Sequence, residues 1–121
     1  MFKKVAFTMY PVADMARARA FYEETLGLPP ATESASGKWT EFDLPGGGCL
    51  ALTVMAEGVE PSASAGGSLA FEVDDIHALA KTLKAKGVQF KMDIFESPVC
   101  TMAVCLDSEG NAFMLHQLKQ A

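Results

Sequence analysis

Histidine is scarce in this chain: 121 residues hold two, His77 and His116. That leaves little imidazole for a metal centre built on several histidines. The three cysteines, Cys49, Cys100 and Cys105, are an odd number without metal-ligand spacing. Neither a disulfide framework nor a zinc motif fits them, and they read as reduced thiols of a cytoplasmic protein. No apolar run reaches the ~18 residues of a membrane span. The opening Met1-Phe-Lys-Lys-Val5 runs straight into a strand pattern, which predicts no cleavable signal. Positive charge is short as well. Ten Lys and Arg stand against fifteen Asp and Glu, a net charge of −5, which argues against nucleic acid and anionic membrane as partners.

What remains is the balance of a globular domain, with 50% hydrophobic and 21% charged residues. Lys4 to Val12 alternates as a strand, Val5, Phe7 and Met9 on one face and Ala6, Thr8 and Tyr10 on the other. Pro11 marks an edge or an ending. Asp14 is a natural N-cap. Met15, Ala18, Phe21, Tyr22 and Leu26 then follow at helical spacing, and Gly27 closes the helix with Pro29-Pro30 beyond. Ala31 to Gly37 is a small, polar loop. Lys38 to Leu44 is a strand with Trp39, Glu41 and Asp43 on one face. Pro45 to Gly48 turns the chain, and Cys49 to Met55, apolar on both faces, reads as a central strand. Glu57 to Gly67, rich in Ala, Ser, Gly and Pro, reads as a linker.

The pattern then starts again. Ser68 to Val73 is a strand, Asp75 caps a helix that ends at Gly87, and Val88 to Met92 is a strand. Asp93 to Pro98 reads as a connection and Cys100 to Leu106 as a strand. The turn Asp107 to Asn111 leads into a last strand from Ala112 to Gln117. On that strand Phe113 and Leu115 point one way, and Ala112, Met114 and His116 the other. Val12-Ala-Asp-Met15 lies over Val73-Asp-Asp-Ile76 at an offset of about sixty residues, and both helices end alike, at Leu26-Gly27-Leu28 and Lys86-Gly87-Val88. This is a duplicated unit: two modules, about 1–57 and 67–121, within a single domain of 1–121. Each reads strand–helix–strand–strand, with room for one more short strand.

Three stretches carry a resemblance to a known superfamily. They are Val12-Ala-Asp-Met-Ala-Arg-Ala-Arg-Ala-Phe-Tyr-Glu-Glu-Thr-Leu-Gly-Leu28, Leu69-Ala-Phe-Glu-Val-Asp-Asp-Ile76 and Asp107-Ser-Glu-Gly-Asn111. The chain resembles, over nearly its whole length, the vicinal oxygen chelate superfamily of glyoxalase I, bleomycin-resistance proteins, fosfomycin-resistance enzymes and extradiol dioxygenases. The resemblance implies an α+β fold of two βαβββ modules with curled mixed sheets, assembled as a homodimer. Lyases, transferases, dioxygenases, isomerases and binding proteins share that fold, so it does not name a reaction.

The resemblance also points to metal positions on the first and last strands of each module. Counted from the helix-opening aspartates and from the turn, these positions hold Phe7, Ala51 (within one residue), Ser68 and Met114. Residues 2–12 and 45–56 contain no His, Asp, Glu or Gln. A divalent cation needs three or more imidazole, carboxylate or thiolate donors, so no metal and no cofactor is expected. Phe7, Met9, Trp39, Ser68, Ala70, Glu72, Met114 and His116 would instead line a greasy cleft. A dimer interface or plain core has the same composition. His116 is either a ligand-orienting group or general base, or a rim histidine bonded to water or backbone. Glu72 and Glu41 could meet a cationic group or simply face water. A solvated role suits His77. Cys100 is expected to be more exposed than Cys105, with no base nearby to make it a nucleophile.

These residues favour a metal-free, bleomycin-resistance-like protein that binds a small, partly apolar molecule and self-associates. A metal-dependent lyase or oxidoreductase of glyoxalase or dioxygenase type is the competing reading. An interaction domain with a methionine-rich surface is a third.

Overall fold

Two sheets built to the same plan account for the strands of the computed structural model, which describes residues 1, 3–55, 59–65 and 68–119. The first half runs β1 (Thr8–Pro11), α1 (Met15–Ala20) with a wider helical turn at Phe21–Thr25, β2 (Thr32–Glu33), β3 (Trp39–Asp43) and β4 (Cys49–Thr53). The second runs β5 (Leu69–Glu72), α2 (Ile76–Ala85), β6 (Phe90–Glu96), β7 (Cys100–Leu106) and β8 (Ala112–Leu118). The sheet orders are β1-β4-β3-β2 and β5-β8-β7-β6. In each, the first strand lies parallel to the last and the other pairs are antiparallel.

The repeat extends to single residues. Met9 pairs with Ala51 and Ala70 with Met114; Pro11 pairs with Thr53 and Glu72 with His116. The Val12 N–H donates to the Thr53 carbonyl at 2.8 Å, and the Val73 N–H to the His116 carbonyl at 2.9 Å. Each parallel pair needs a crossover, which the helix supplies. Asp14 caps α1 by accepting from the Arg17 N–H at 3.0 Å, and Asp75 caps α2 by accepting from the Ala78 N–H at 3.1 Å. Gly27 and Gly87 leave the two helices at φ +75° and +87°, a region that favours glycine.

Several sequence boundaries move. β1 begins at Thr8, later than the expected Lys4, and it is an edge strand that ends at Pro11. The loop expected over Ala31 to Gly37 contains β2, which pairs Thr32 with Glu41 and Glu33 with Thr40. The connection expected over Asp93 to Pro98 is mostly strand: β6 continues to Glu96, with register shifts between Phe90 and Met92 and between Met92 and Phe95. Those irregularities break the alternation that marks a strand in sequence. Residues 57, 58, 66 and 67 of the expected linker lie outside the described residues; 59–65 form neither helix nor strand. No helix among the described residues is long and apolar enough to cross a membrane.

One core joins both halves. Tyr10, Tyr22, Phe42, Leu50 and Leu52 pack in the same buried cluster as Ile76, Leu83, Phe113 and Leu115. The wide turn at Phe21–Thr25 lets two consecutive aromatics serve it. Phe21 packs against Phe113 with ring centroids 5.9 Å apart, while Tyr22 packs against Phe42 at 5.9 Å.

The Asp107–Asn111 turn latches the halves together. One Asp107 oxygen accepts from the backbone N–H groups of Glu109 and Asn111 at 2.8 and 2.9 Å, and the other accepts from the Tyr22 hydroxyl at 2.7 Å. The Asn111 amide donates to the Pro11 carbonyl at 2.7 Å. The Tyr10 hydroxyl donates to the Ala112 carbonyl at 2.6 Å and accepts from the Leu69 N–H at 2.8 Å. Burial, then the Asp107 carboxylate, pushes the Tyr22 phenol well above its ordinary pKa. Glu109 caps the start of the first helix, accepting from the Ala13 and Asp14 N–H groups at 3.0 Å each and from Arg17 Nε and Nη2 at 2.6 and 2.9 Å.

Candidate functional site

Each sheet packs one face on the core and leaves the other open, because side chains alternate along a strand. On the first sheet the open face carries Met9, Ala51 and Glu41 in one register line, with Trp39 opposite Thr53. Ala51 is fully buried between the longer side chains of its line. Phe7 meets Trp39 edge to face at 5.1 Å, and the indole N–H donates to Glu41 at 2.7 Å. Phe7 and Met9 stay 45% and 38% exposed, so this aromatic–methionine group is a surface, unlike the core. The Cys49 thiol sits 3.8 Å from Glu41; burial, then the Glu41 and Asp43 carboxylates, raises its pKa.

On the second sheet the open face carries two register lines. Ala70, Met114, Val104 and Met92 form one; Glu72, His116, Met102 and Phe95 form the other. His116 Nδ1 lies 2.5 Å from a Glu72 oxygen, and the second Glu72 oxygen accepts the Leu118 N–H at 2.9 Å. The Leu118 N–H, and after it His116, lowers the Glu72 pKa. Ser68 is exposed just before β5.

The expected site residues therefore form two groups. Phe7, Met9 and Trp39 gather on the first sheet; Ala70, Glu72, Met114 and His116 gather on the second. The sequence did not reveal the Glu72–His116 pair, which only the β5–β8 register creates. Met92, Phe95 and Met102 also belong to the second open face: Phe95 was missed because the irregular β6 reads as a connection from Asp93, while Met92 and Met102 stood on expected strands without being assigned to the cleft. His77 is exposed at the start of α2, where it lines a polar crevice with Glu72, Glu96 and Gln117. Cys100 is more exposed than Cys105, as expected, but only at 6%, beside the Ser97 hydroxyl at 3.1 Å, whereas Cys49 is half-buried. Cys105 is fully buried, and burial pushes its thiol up to about 12.

The family metal positions do not fit a metal. Phe7, Ala51, Ser68 and Met114 offer a phenyl, a methyl, a hydroxyl and a thioether, which is not a donor set for a divalent cation. Among the described residues no group of three or more His, Cys, Asp or Glu could hold one. A crevice of about 360 Å³ lies elsewhere, between Leu26, Leu28 and Leu44 of the first half and Phe71, Leu79 and Leu115 of the second. Of the expected site residues only Glu72 borders it, so it lacks the converging polar groups of a binding site.

The family model for the Glyoxalase/Bleomycin resistance protein/Dioxygenase superfamily matches residues 4–115. The chain belongs to this superfamily. Among curated proteins it is similar to the uncharacterized protein YetH of Bacillus subtilis (strain 168), 26% identical over 121 residues that cover 97% of this chain and 100% of that one. Among solved structures it is similar to TnmS3, an antibiotic binding protein from Streptomyces sp. CB03234, at 25% identity and a TM-score of 0.77, covering 98% of each chain. It is also similar to a glyoxalase/bleomycin resistance protein from the same Streptomyces, at 28% identity and a TM-score of 0.74, covering 90% of this chain and 96% of that one. The superfamily and the α+β fold expected from the sequence are thereby established.

Proposed function

We propose that this member of the superfamily binds a small, partly apolar molecule on its open sheet faces and performs no metal chemistry. The observation that carries the reading is the pair of open faces themselves. They hold aromatic and methionine side chains outside the core, with a few polar groups among them, at the place where the family positions lack metal donors. The similarity to an antibiotic binding protein supports a binding role. In this reading the protein is cytoplasmic, keeps its thiols reduced and works as a homodimer, in which a second copy covers each open face and shields the ligand. The site residues are Phe7, Met9, Trp39, Ser68, Ala70, Glu72, Met114 and His116, joined by Met92, Phe95 and Met102.

Trp39 is the sole tryptophan of the chain, so its fluorescence reports on the first open face. Titration with a panel of flat aromatic and cationic compounds is expected to give saturable quenching. A panel without effect, together with divalent metal bound stoichiometrically and a melting temperature that climbs with metal concentration, would replace this reading with a metal-dependent enzyme.

A further inference from the structure

The line Glu72, His116, Met102, Phe95 crosses the whole second sheet, and beside it runs the apolar line Ala70, Met114, Val104, Met92. His116 is the one imidazole among these groups, and Glu72 is the one charged group in register with it. The neighbours of His116 on β7 and beyond it on β6 are Met102 and Phe95, which do not titrate. A carboxylate only accepts hydrogen bonds, so the contact at 2.5 Å requires the proton on Nδ1. The second Glu72 oxygen is fixed by the Leu118 N–H, so the carboxylate cannot turn away without losing that bond. A neutral imidazole with Nδ1 protonated carries its lone pair on Nε2. Among the described residues Nε2 makes no hydrogen bond.

We propose that His116, held in this tautomer by Glu72, is the hydrogen-bond acceptor for the hydroxyl of a flat phenolic ligand lying over Met102, Met114 and Phe95. The inference rests on the small-molecule reading above and adds to it a ligand class and an anchor. Methionine sulfur and a phenyl edge suit an aromatic ring. The O–H of the ligand points at Nε2, and no covalent bond forms or breaks. An aryl ether of the same shape has no proton to give, so it buries the Nε2 lone pair without a partner.

The test compares β-naphthol with its methyl ether at about pH 8, both followed by their own fluorescence. The naphthol is expected to bind about three- to tenfold more tightly, the range of one hydrogen bond. His116→Phe is expected to abolish that preference while the ether still binds. Glu72→Gln, whose amide can donate to Nδ1 or accept from it, is expected to mix the imidazole tautomers seen by nitrogen NMR and to reduce the preference. Equal affinity of wild type for both compounds overturns the phenol anchor and leaves the broader reading standing. So does a preference that survives His116→Phe. Failure of both compounds to bind overturns the anchor as well, and the Trp39 titration then judges the broader reading separately.

Discussion

Replacing Glu109 by Gln tests whether the turn after β7 holds the two halves together through charge. The Glu109 side chain is fully buried, and every partner it has is a donor: two backbone N–H groups, the Ser108 hydroxyl and two nitrogens of Arg17. The Arg17 guanidinium, against the opposing effect of burial, draws the carboxyl from 4.5 down to about 2. A depression of that size corresponds to about 3 kcal/mol at neutral pH. Arg17 is 56% exposed, so solvent screens part of its share, and about 2 kcal/mol is the working figure. In the variant the amide N–H₂ must face a donor, which removes at least one charge-assisted bond. The stabilisation of a depressed carboxyl is present above its unfolded pKa and disappears as pH falls through its folded one. The window here runs from about pH 5 to about pH 2. Urea unfolding followed by far-ultraviolet circular dichroism should place the variant about 1–2 M below wild type at neutral pH. By about pH 3 less than half of that gap should remain. A gap of the same size at both pH values would refute the reasoning and assign the cost to shape. A neutral variant would refute the latch itself.

Two further outcomes follow from the same geometry. Gly27→Ala and Gly87→Ala, at φ +75° and +87°, should each lower stability by about 1 kcal/mol in thermal melts although neither new Cβ would touch anything within 4 Å; equal melting temperatures would contradict the left-handed cap. With a chromogenic disulfide reagent on native protein, Cys49 should react first and Cys105 last, after unfolding, since Cys105 is fully buried with its thiol pushed up to about 12; early labelling of Cys105 would contradict its place in the core.

The sequence exposed the periodic parts of this fold. β7 spans Cys100–Leu106 as expected, and the aspartate caps and glycine ends of both helices stand where turn and cap chemistry put them. These signals are local: a side chain bonds its own helix, or a glycine adopts its own φ. What escaped was non-local or irregular. The wide turn at Phe21–Thr25 has an ordinary helical composition, and tertiary packing of Phe21 and Tyr22 on both halves goes with it. The register shifts in β6 hid the second half of that strand and, with it, Phe95. The burial of Cys100 depends on where β7 lies in the sheet, which proximity to Pro98 does not reveal.

Most of the residues that make the chain recognisable hold the fold; of the three stretches only Leu69–Ile76 reaches an open face, through Ala70 and Glu72. Asp14, Gly27, Tyr22, Asp107, Glu109 and Asn111 lie in the stretches that resemble the superfamily, and the structure employs each in capping a helix or latching one half to the other. None of them lies on the open register lines. On or beside those lines the chain carries Phe7, Met9, Trp39, Met114 and the Glu72–His116 pair, none of which caps a helix or joins the Asp107–Asn111 latch. Substitutions there change the open faces while the latch keeps the sheets in place. A family match over residues 4–115 therefore fixes the architecture and does not name a function. The Glu72–His116 pair is informative for a different reason: it joins β5 to β8 and, among the described residues, leaves Nε2 without a hydrogen bond.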